Sequence, residues 1–216
     1  MLSVVIPALN AAETLAACLA SVAEANERIV VDGGSSDGTA SIAEAEGVRL
    51  LRTERGRGTQ LAAGADRVGG DWLLFLHADT RLAPGWREAV DRHIAACPER
   101  AACFRFRLDD DAWQARLLER AVALRVRFLG LPYGDQGLLV PRRLYEVAGG
   151  YRPLPLMEDV DLVRRIGRIV PLPADAITSA KRWRRDGWLR RSARNLFCLA
   201  LYGAGMSPAR IAPFYR

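Results

Sequence analysis

Lysine is nearly absent from this chain: Lys181 stands alone among 31 basic residues, and the rest are arginine. Histidine is confined to His77 and His93, and the four cysteines, Cys18, Cys97, Cys103 and Cys198, are scattered with no pair at metal-ligand spacing. That scatter excludes a cysteine-based zinc module and the dense disulfide framework of small secreted domains, and it leads us to expect a reducing, cytoplasmic setting. No uncharged apolar run reaches the length of a membrane span, and Met1 to Ile6 enter a strand-like segment without a basic leader, so a soluble protein is expected. Repeats and low-complexity segments are also missing.

What remains is a chain of 216 residues, 50% of them apolar, which is enough for one substantial core. We expect one domain over residues 1–216, divided into segments 1–100, 101–178 and a basic tail 179–216. The formal net charge of +6 fits an anionic partner, and it fits a solvated basic face equally well. The arginine excess follows from coding bias as readily as from a need for planar phosphate-binding forks. Nothing in the charge pattern names a nucleic-acid partner.

Strand and helix signals alternate along the first half. Leu2 to Ile6 reads as a strand closed by Pro7, Glu13 to Ala25 as a helix, Arg28 to Val31 as a strand, Ala40 to Glu46 as a helix and Val48 to Arg52 as a strand. Thr59 is placed to cap a helix running to Val68, Trp72 to Leu76 is a continuous apolar strand, and Pro84 to Ala96 is a helix. Such alternation predicts a mostly parallel, doubly wound α/β sheet with helices on both faces. Beyond it we expect a strand at Cys103 to Leu108, a helix from Ala112 to Phe128 capped by Asp111, a loop from Gly130 to Gly137 and a strand at Leu138 to Val140. Helices from Arg142 and from Glu158 to Ile166 follow. The tail reads as a basic loop from Lys181 to Arg185, a helix from Trp188 to about Tyr202 and a short helix begun by Ser207 and Pro208.

In open α/β sheets ligands sit beyond the carboxyl ends of the strands, and here those ends are polar. Pro7, Ala8, Asn10 and Glu13 follow the first strand. Asp32, Ser35 and Asp37 follow the second, and His77, Ala78 and Asp79 follow the fourth. Any one of these groups is ordinary turn and cap chemistry; their co-occurrence points to a site.

Two runs, Val4-Val5-Ile6-Pro7-Ala8-Leu9-Asn10 and Ile29-Val30-Val31-Asp32-Gly33-Gly34-Ser35-Ser36-Asp37-Gly38-Thr39, resemble the opening motifs of the inverting family 2 glycosyltransferases. The resemblance implies a GT-A fold, with a Rossmann-like central sheet, in which residues 1–100 bind a nucleotide sugar and 101–178 face the acceptor. It implies that the loop after Ile6 and the Asp32 carboxylate hold the base of a UDP-sugar, with Glu13 in the same pocket; a carboxylate accepts the imino proton of uracil and rejects a base lacking that donor. Arg55-Gly56-Arg57-Gly58-Thr59-Gln60 resembles the family's Gly-rich stretch, and Arg57 is its candidate diphosphate contact, set against the alternative of a solvated loop.

Leu76-His77-Ala78-Asp79-Thr80 stands where the family carries Asp-X-Asp, whose carboxylates hold a divalent cation against the diphosphate. Asp79 matches the final aspartate, and His77 replaces the first. An imidazole is accepted by Mn²⁺ more readily than by Mg²⁺, so Mn²⁺ is the favoured metal and Mg²⁺ the second choice; His77 is left open as a ligand, a neighbour of the metal, or neither.

Gly134-Asp135-Gln136-Gly137 resembles the family's acceptor-side loop, and Met157-Glu158-Asp159-Val160-Asp161-Leu162 its Glu-Asp motif, in which the second carboxylate is the catalytic base. The candidate base is Asp159, with Glu158 on the acceptor side; the plain alternative is an acidic helix N-terminus favoured by the helix dipole. Ser179-Ala180-Lys181-Arg182-Trp183 lies where larger synthases carry Gln-X-X-Arg-Trp, which assigns Arg182 to the diphosphate and Trp183 to the acceptor. Ser179 in place of glutamine speaks against polymer synthesis.

Arg190, Arg191 and Arg194 continue the basic run on one side of a helix, opposite Leu189, Leu196, Phe197, Leu199 and Leu201. Such a helix lies on an anionic membrane, packs on its own core, or meets a partner in a homo-oligomer. With the Arg194-Asn195-Leu196 run and the Leu-Tyr-Gly-Ala-Gly-Met-Ser-Pro tail, nearly the full chain is similar to a compact bacterial subfamily labelled as radical-SAM and selenodomain-associated, a label that names no substrate. The function this implies is metal-assisted transfer of a sugar from a UDP-sugar to an unidentified hydroxyl acceptor. Its rivals are a nucleotidyltransferase, which would normally open with a Gly-rich basic loop where Pro7 to Asn10 stand, and a nucleotide-sugar-binding module without catalysis. Two flanking carboxylates also suit a glycoside hydrolase, which has no use for Asp32 or a metal motif.

Overall fold

The computed structural model describes residues 1–215. Among them one eight-stranded sheet holds the chain together. It comprises β1 (Leu2–Ala8), β2 (Glu27–Asp32), β3 (Arg49–Arg52), β4 (Trp72–Phe75), β5 (Thr80–Leu82), β6 (Ala102–Leu108), β7 (Leu138–Pro141) and β8 (Val170–Thr178), in the order β3-β2-β1-β4-β7-β6-β8-β5. The first four run parallel, as the alternation predicts. At β4 the pattern changes, because β7 pairs antiparallel with both β4 and β6, while β8 runs parallel to β6 and antiparallel to β5.

Ten helices flank this sheet among the described residues: α1 (Leu15–Ser21), α2 (Thr39–Ala45), α3 (Arg57–Ala65), α4 (Trp86–Ala96), α5 (Trp113–Leu129), α6 (Arg142–Val147), α7 (Glu158–Ile166), α8 (Lys181–Asp186), α9 (Trp188–Gly203) and α10 (Pro208–Tyr215). Every residue of β1 is buried, which accounts for its unbroken apolar run: Val4 and Ile6 pack on one face with Leu15, Leu19 and Trp86, and Val5 on the other with Leu61 and Phe75. Gly64 of α3 sits so close to the sheet that a Cβ there would collide with Val5 and Val31.

Several boundaries differ from the expectation. α1 is confined to Leu15–Ser21, so Glu13 precedes it. α3 starts at Arg57, and Thr59 is not its cap. Asp111 does not cap α5; the neighbouring Asp110 accepts from the Ala112 N–H at 2.8 Å. Lys181 to Arg185, expected as a loop, form helix α8 around the buried Trp183.

β5 and β8 were not anticipated. β8 carries Pro171 and Pro173, which remove ladder donors and argue against a strand. The sheet accommodates them at an irregularity where the pairing skips from Cys103–Pro171 to Arg105–Asp175.

The tail departs most from the amphipathic reading. Arg191 is 4% exposed, stacks on Trp183 and, with Arg194, pairs with Asp186, whereas Leu189 and Leu196 on the same helix are 81% and 61% exposed. Arg191 and Arg194 of α9 turn toward the protein, Arg190 stays exposed, and part of the apolar side faces out. Among the described residues no helix is long and apolar enough to cross a membrane, and the four cysteines are free.

Candidate active site

The loops after β1 and β2 are laced together by the polar side chains that mark them in the sequence. Asn10 adopts a left-handed conformation with φ 49°, which asparagine tolerates; its backbone N–H donates to Ser35 Oγ and its Oδ1 accepts from the Ser36 N–H, both at 2.9 Å. Asp37 accepts from the backbone of Ala12 and Thr39, and the Thr39 hydroxyl holds its carboxyl below the usual carboxylate range. Ser35 and Asp37 therefore brace the loops. Asp32, 3% exposed at the end of β2, accepts from the Ser35 hydroxyl and N–H. Beneath them Gln60 Nε2 donates to the Ala8 and Val31 carbonyls at 2.8 and 2.7 Å, tying β1 to β2 where the strands diverge.

A cavity is lined by Arg57, His77, Asp79, Gly134, Asp135, Glu158, Asp159, Arg182 and Trp183. The chain distance between these candidates is long, and the fold brings them together. Pro7, Ala8, Asn10, Asp32, Ser35 and Asp37 stay at the β1 and β2 ends, outside this cavity lining. Glu13 is exposed and pairs with Lys181 at 2.5 Å. Ala78 is buried in the apolar core. Gln136 does not line the cavity either: its amide donates to the Phe104 carbonyl at 3.1 Å, and its oxygen accepts from Arg125 and the Tyr133 N–H, so it shapes the loop from inside.

The three acids in the first turn of α7 have separate partners. Asp161 pairs with Arg165 at 2.6 Å and Arg152 at 3.4 Å, a structural role. Glu158, 2% exposed, pairs with Arg57 Nε at 2.6 Å. Asp159 has no arginine within ion-pair distance among the described residues; its Oδ1 accepts from the Tyr151 hydroxyl at 3.2 Å and its Oδ2 from the Gly134 N–H at 3.1 Å. Burial raises the pKa of both Glu158 and Asp159, with the Arg57 charge opposing it. Burial and the same carboxylates hold Tyr151 well above the ordinary phenol range, so it remains a donor.

Burial works against the charge on Arg57, but Glu158 and Asp159 outweigh it and keep the guanidinium charged. His77 is driven well below its usual pKa by burial and by Arg57 and Arg182, so its imidazole is neutral. Its Nε2 lies 3.3 Å from Arg57 Nη1 and 3.8 Å from Asp159 Oδ2, which makes Nε2 the acceptor and places the proton on Nδ1. Asp79 Oδ2 stands 3.8 Å from Arg182. Asp135 is pushed up to about 6, mainly by burial. Close approach explains Gly134: a Cβ there would strike both Asp159 and His77.

The profile of Glycosyl transferase family 2 matches residues 3–147, about two thirds of the chain. The chain belongs to this family. Among curated relatives, a "PGL/p-HBAD biosynthesis glycosyltransferase" of Mycobacterium bovis is 42% identical over 93 residues, 38% of this chain and 36% of the relative; the chain thus spans just over a third of that protein's length. Among solved structures, residues 1–349 of Staphylococcus aureus TarS align over 99% of this chain and 70% of that one, with a TM-score of 0.66 at 14% identity. Glucosyl-3-phosphoglycerate synthase from Mycobacterium tuberculosis, solved with Mn²⁺, UDP and phosphoglyceric acid, aligns over 79% of this chain and 67% of that one, with a TM-score of 0.58 at 20% identity. These likenesses show the fold: the α/β GT-A arrangement expected from the opening motifs.

Sequence reasoning did not single out Tyr151, whose hydroxyl reaches Asp159, because a tyrosine after two glycines carries no motif. Asn195, Arg191 and Tyr215 also line the cavity. Asn195 belongs to the Arg-Asn-Leu run of the tail, the one signal that could have found it.

Proposed function

We propose that this chain transfers a sugar from a UDP-sugar to a hydroxyl acceptor with inversion at the anomeric carbon. The observation that carries the reading is Asp159: a carboxylate held by Tyr151 and Gly134, with its pKa raised, lining one cavity with Arg57, Arg182 and Asp79. The acceptor oxygen attacks the anomeric carbon, its proton passes to Asp159, and the bond from that carbon to the diphosphate oxygen breaks with its electron pair leaving on UDP. Arg57 and Arg182 face the charge that develops there. Asp32 accepts from the base. Glu158 positions Arg57 through their ion pair.

A divalent cation fits this donor set in one way. Among the described residues there is no cluster of three or more His, Cys, Asp or Glu side chains able to hold a metal by itself, so Asp79 is the carboxylate that would hold a cation shared with the donor. The neutral His77 imidazole joins only by exchanging its contact with Arg57, and a nitrogen ligand favours Mn²⁺ over Mg²⁺. Bound there, the cation would stabilise the negative charge on the leaving diphosphate. S. aureus TarS has been solved with UDP-GlcNAc and the mycobacterial synthase with Mn²⁺ and UDP, which supports the same donor class here. The free cysteines support a cytoplasmic setting, and the tail motif supports placement in the compact bacterial subfamily.

Incubation with a panel of UDP-sugars, Mn²⁺ and a bacterial extract as acceptor source tests the reading. UDP release with labelled sugar recovered on an acceptor is expected. Pyrophosphate as the product would indicate a nucleotidyltransferase, and nucleotide binding with neither product would indicate an inactive module.

A further inference from the structure

A second cavity of about 420 Å³ opens between α5 and α9, with Leu118, Val122, Leu124, Phe128, Leu196 and Leu199 among its walls. Unlike a core, this apolar surface is open: Leu124 is 55%, Phe128 74% and Leu196 61% exposed. Large exposed apolar patches bordering a site mark a place where something apolar binds. The groove borders the candidate active site: Tyr133, Asp135, Trp183 and Asn195 line both cavities.

At that junction the chemistry changes. Asp135 Oδ1, Trp183 Nε1 and Asn195 Oδ1 are buried and have no hydrogen-bond partner in the protein. Buried polar groups left without partners are costly, and an indole donor and two oxygen acceptors on a common wall match the needs of a hydroxyl, which both donates and accepts. The orphaned groups thus stand where a long apolar groove meets the cavity of Asp159.

From this juxtaposition we infer that the acceptor is an amphiphile: its hydroxyl-bearing head crosses the junction toward Asp159 and its alkyl chain lies in the α5–α9 groove. The inference deepens the proposed transferase reading and rests on it. The occupant is the acceptor's chain, because the wall that the groove shares with the candidate site carries groups suited to a hydroxyl. A membrane face or a second copy of this chain would require neither feature.

Calorimetry with 1-hexanol, 1-octanol and 1-decanol as probes tests it on the full chain, alongside a UDP titration of each variant. Binding is expected at one alcohol per chain, tightening about threefold to fourfold per methylene. Leu124→Glu and Leu196→Glu should each weaken 1-decanol by about tenfold or more, since a charge enters an apolar groove, while both sites are exposed enough to preserve the fold. Leu189→Glu, on α9 but outside the groove, should change nothing. Asn195→Leu should remove the preference for 1-decanol over 1-chlorodecane. A flat chain-length series, or equal loss in Leu189→Glu, would overturn the inference in favour of a diffuse membrane-facing surface. A dimer in sedimentation that dissociates in Leu196→Glu would overturn it in favour of a second copy. Loss of UDP binding in the unaltered chain would sink the transferase reading separately from the alcohol result.

Discussion

At the scale of single residues, the same strand-end loops hold side chains that brace the backbone and the carboxylates proposed for the site. Ser35 and Asp37 look like ligand groups in the sequence and spend their oxygens on backbone donors; Asp32 is buried at the end of β2 with Ser35 as its partner, and Asp159 lines the cavity. Asp32→Ala is expected to weaken UDP binding by about tenfold to a hundredfold, the worth of a hydrogen bond to a charged group, and to narrow the preference for UDP over ADP and GDP. Calorimetry with the three diphosphates checks this; equal affinities in the unaltered protein would remove Asp32 from the base site. Gly134 carries the second expectation at this scale. Gly134→Ala drives a Cβ into Asp159 and His77, so it should cut turnover by about a hundredfold at saturating donor with the melting temperature little changed. Turnover retained in that variant would show that the position of Asp159 is not critical.

Among the elements, α8 and α9 are fastened by one carboxylate. Asp186 accepts from Arg185 at 2.7 Å, Arg191 at 2.8 Å and Arg194 at 2.9 Å, and these hydrogen bonds, Arg185 first, hold its pKa below the ordinary range. A depressed folded-state pKa stabilises the fold fully above the unfolded value, about 3.9, and that stability is lost as pH falls through the folded value. Denaturant midpoints of Asp186→Asn should therefore lie below those of the unaltered protein at pH 7, with the gap closing as the pH is lowered from about 5 toward 2. A gap independent of pH would show that the three arginines are held by other contacts.

The same elements show what the sequence carries and what it hides. Strands β1, β2 and β4 are legible because a strand buried on both faces reads as an apolar run with polar residues after it, and β3 because Leu50 and Leu51 follow the turn at Gly47. β8 alternates through Leu172, Ala174 and Ala176 but is hidden by Pro171 and Pro173, and α8 has a single apolar residue, Trp183, and so no readable period. The direction of α9 is misread for a physical reason: a guanidinium paired with Asp186 and stacked on Trp183 is buried at low cost, so charge does not fix the solvent side. Asp32, Asp79 and Asp159 were visible through motifs, whereas the Tyr151 contact depends on a turn that no pattern announces.

At the scale of the whole molecule, the sheet collects Arg57 from α3, Asp79 after β4, Asp159 from α7 and Arg182 from α8 around one cavity. Chelation is expected to abolish transfer, with Mn²⁺ restoring more of it than Mg²⁺, and Asp79→Ala should lose the response to metal; turnover untouched by chelation would contradict the metal's role. The central claim is that one carboxylate takes the acceptor proton, and the most direct test compares Asp159→Asn with Glu158→Gln at saturating UDP-sugar, with one acceptor. Asn keeps the shape and accepts no proton, so the account predicts near-normal UDP-sugar binding with a loss of about a hundredfold to ten-thousandfold in transfer rate, and a smaller loss in Glu158→Gln, where only the partner of Arg57 changes. Near-normal transfer by Asp159→Asn, with Glu158→Gln inactive, would contradict it.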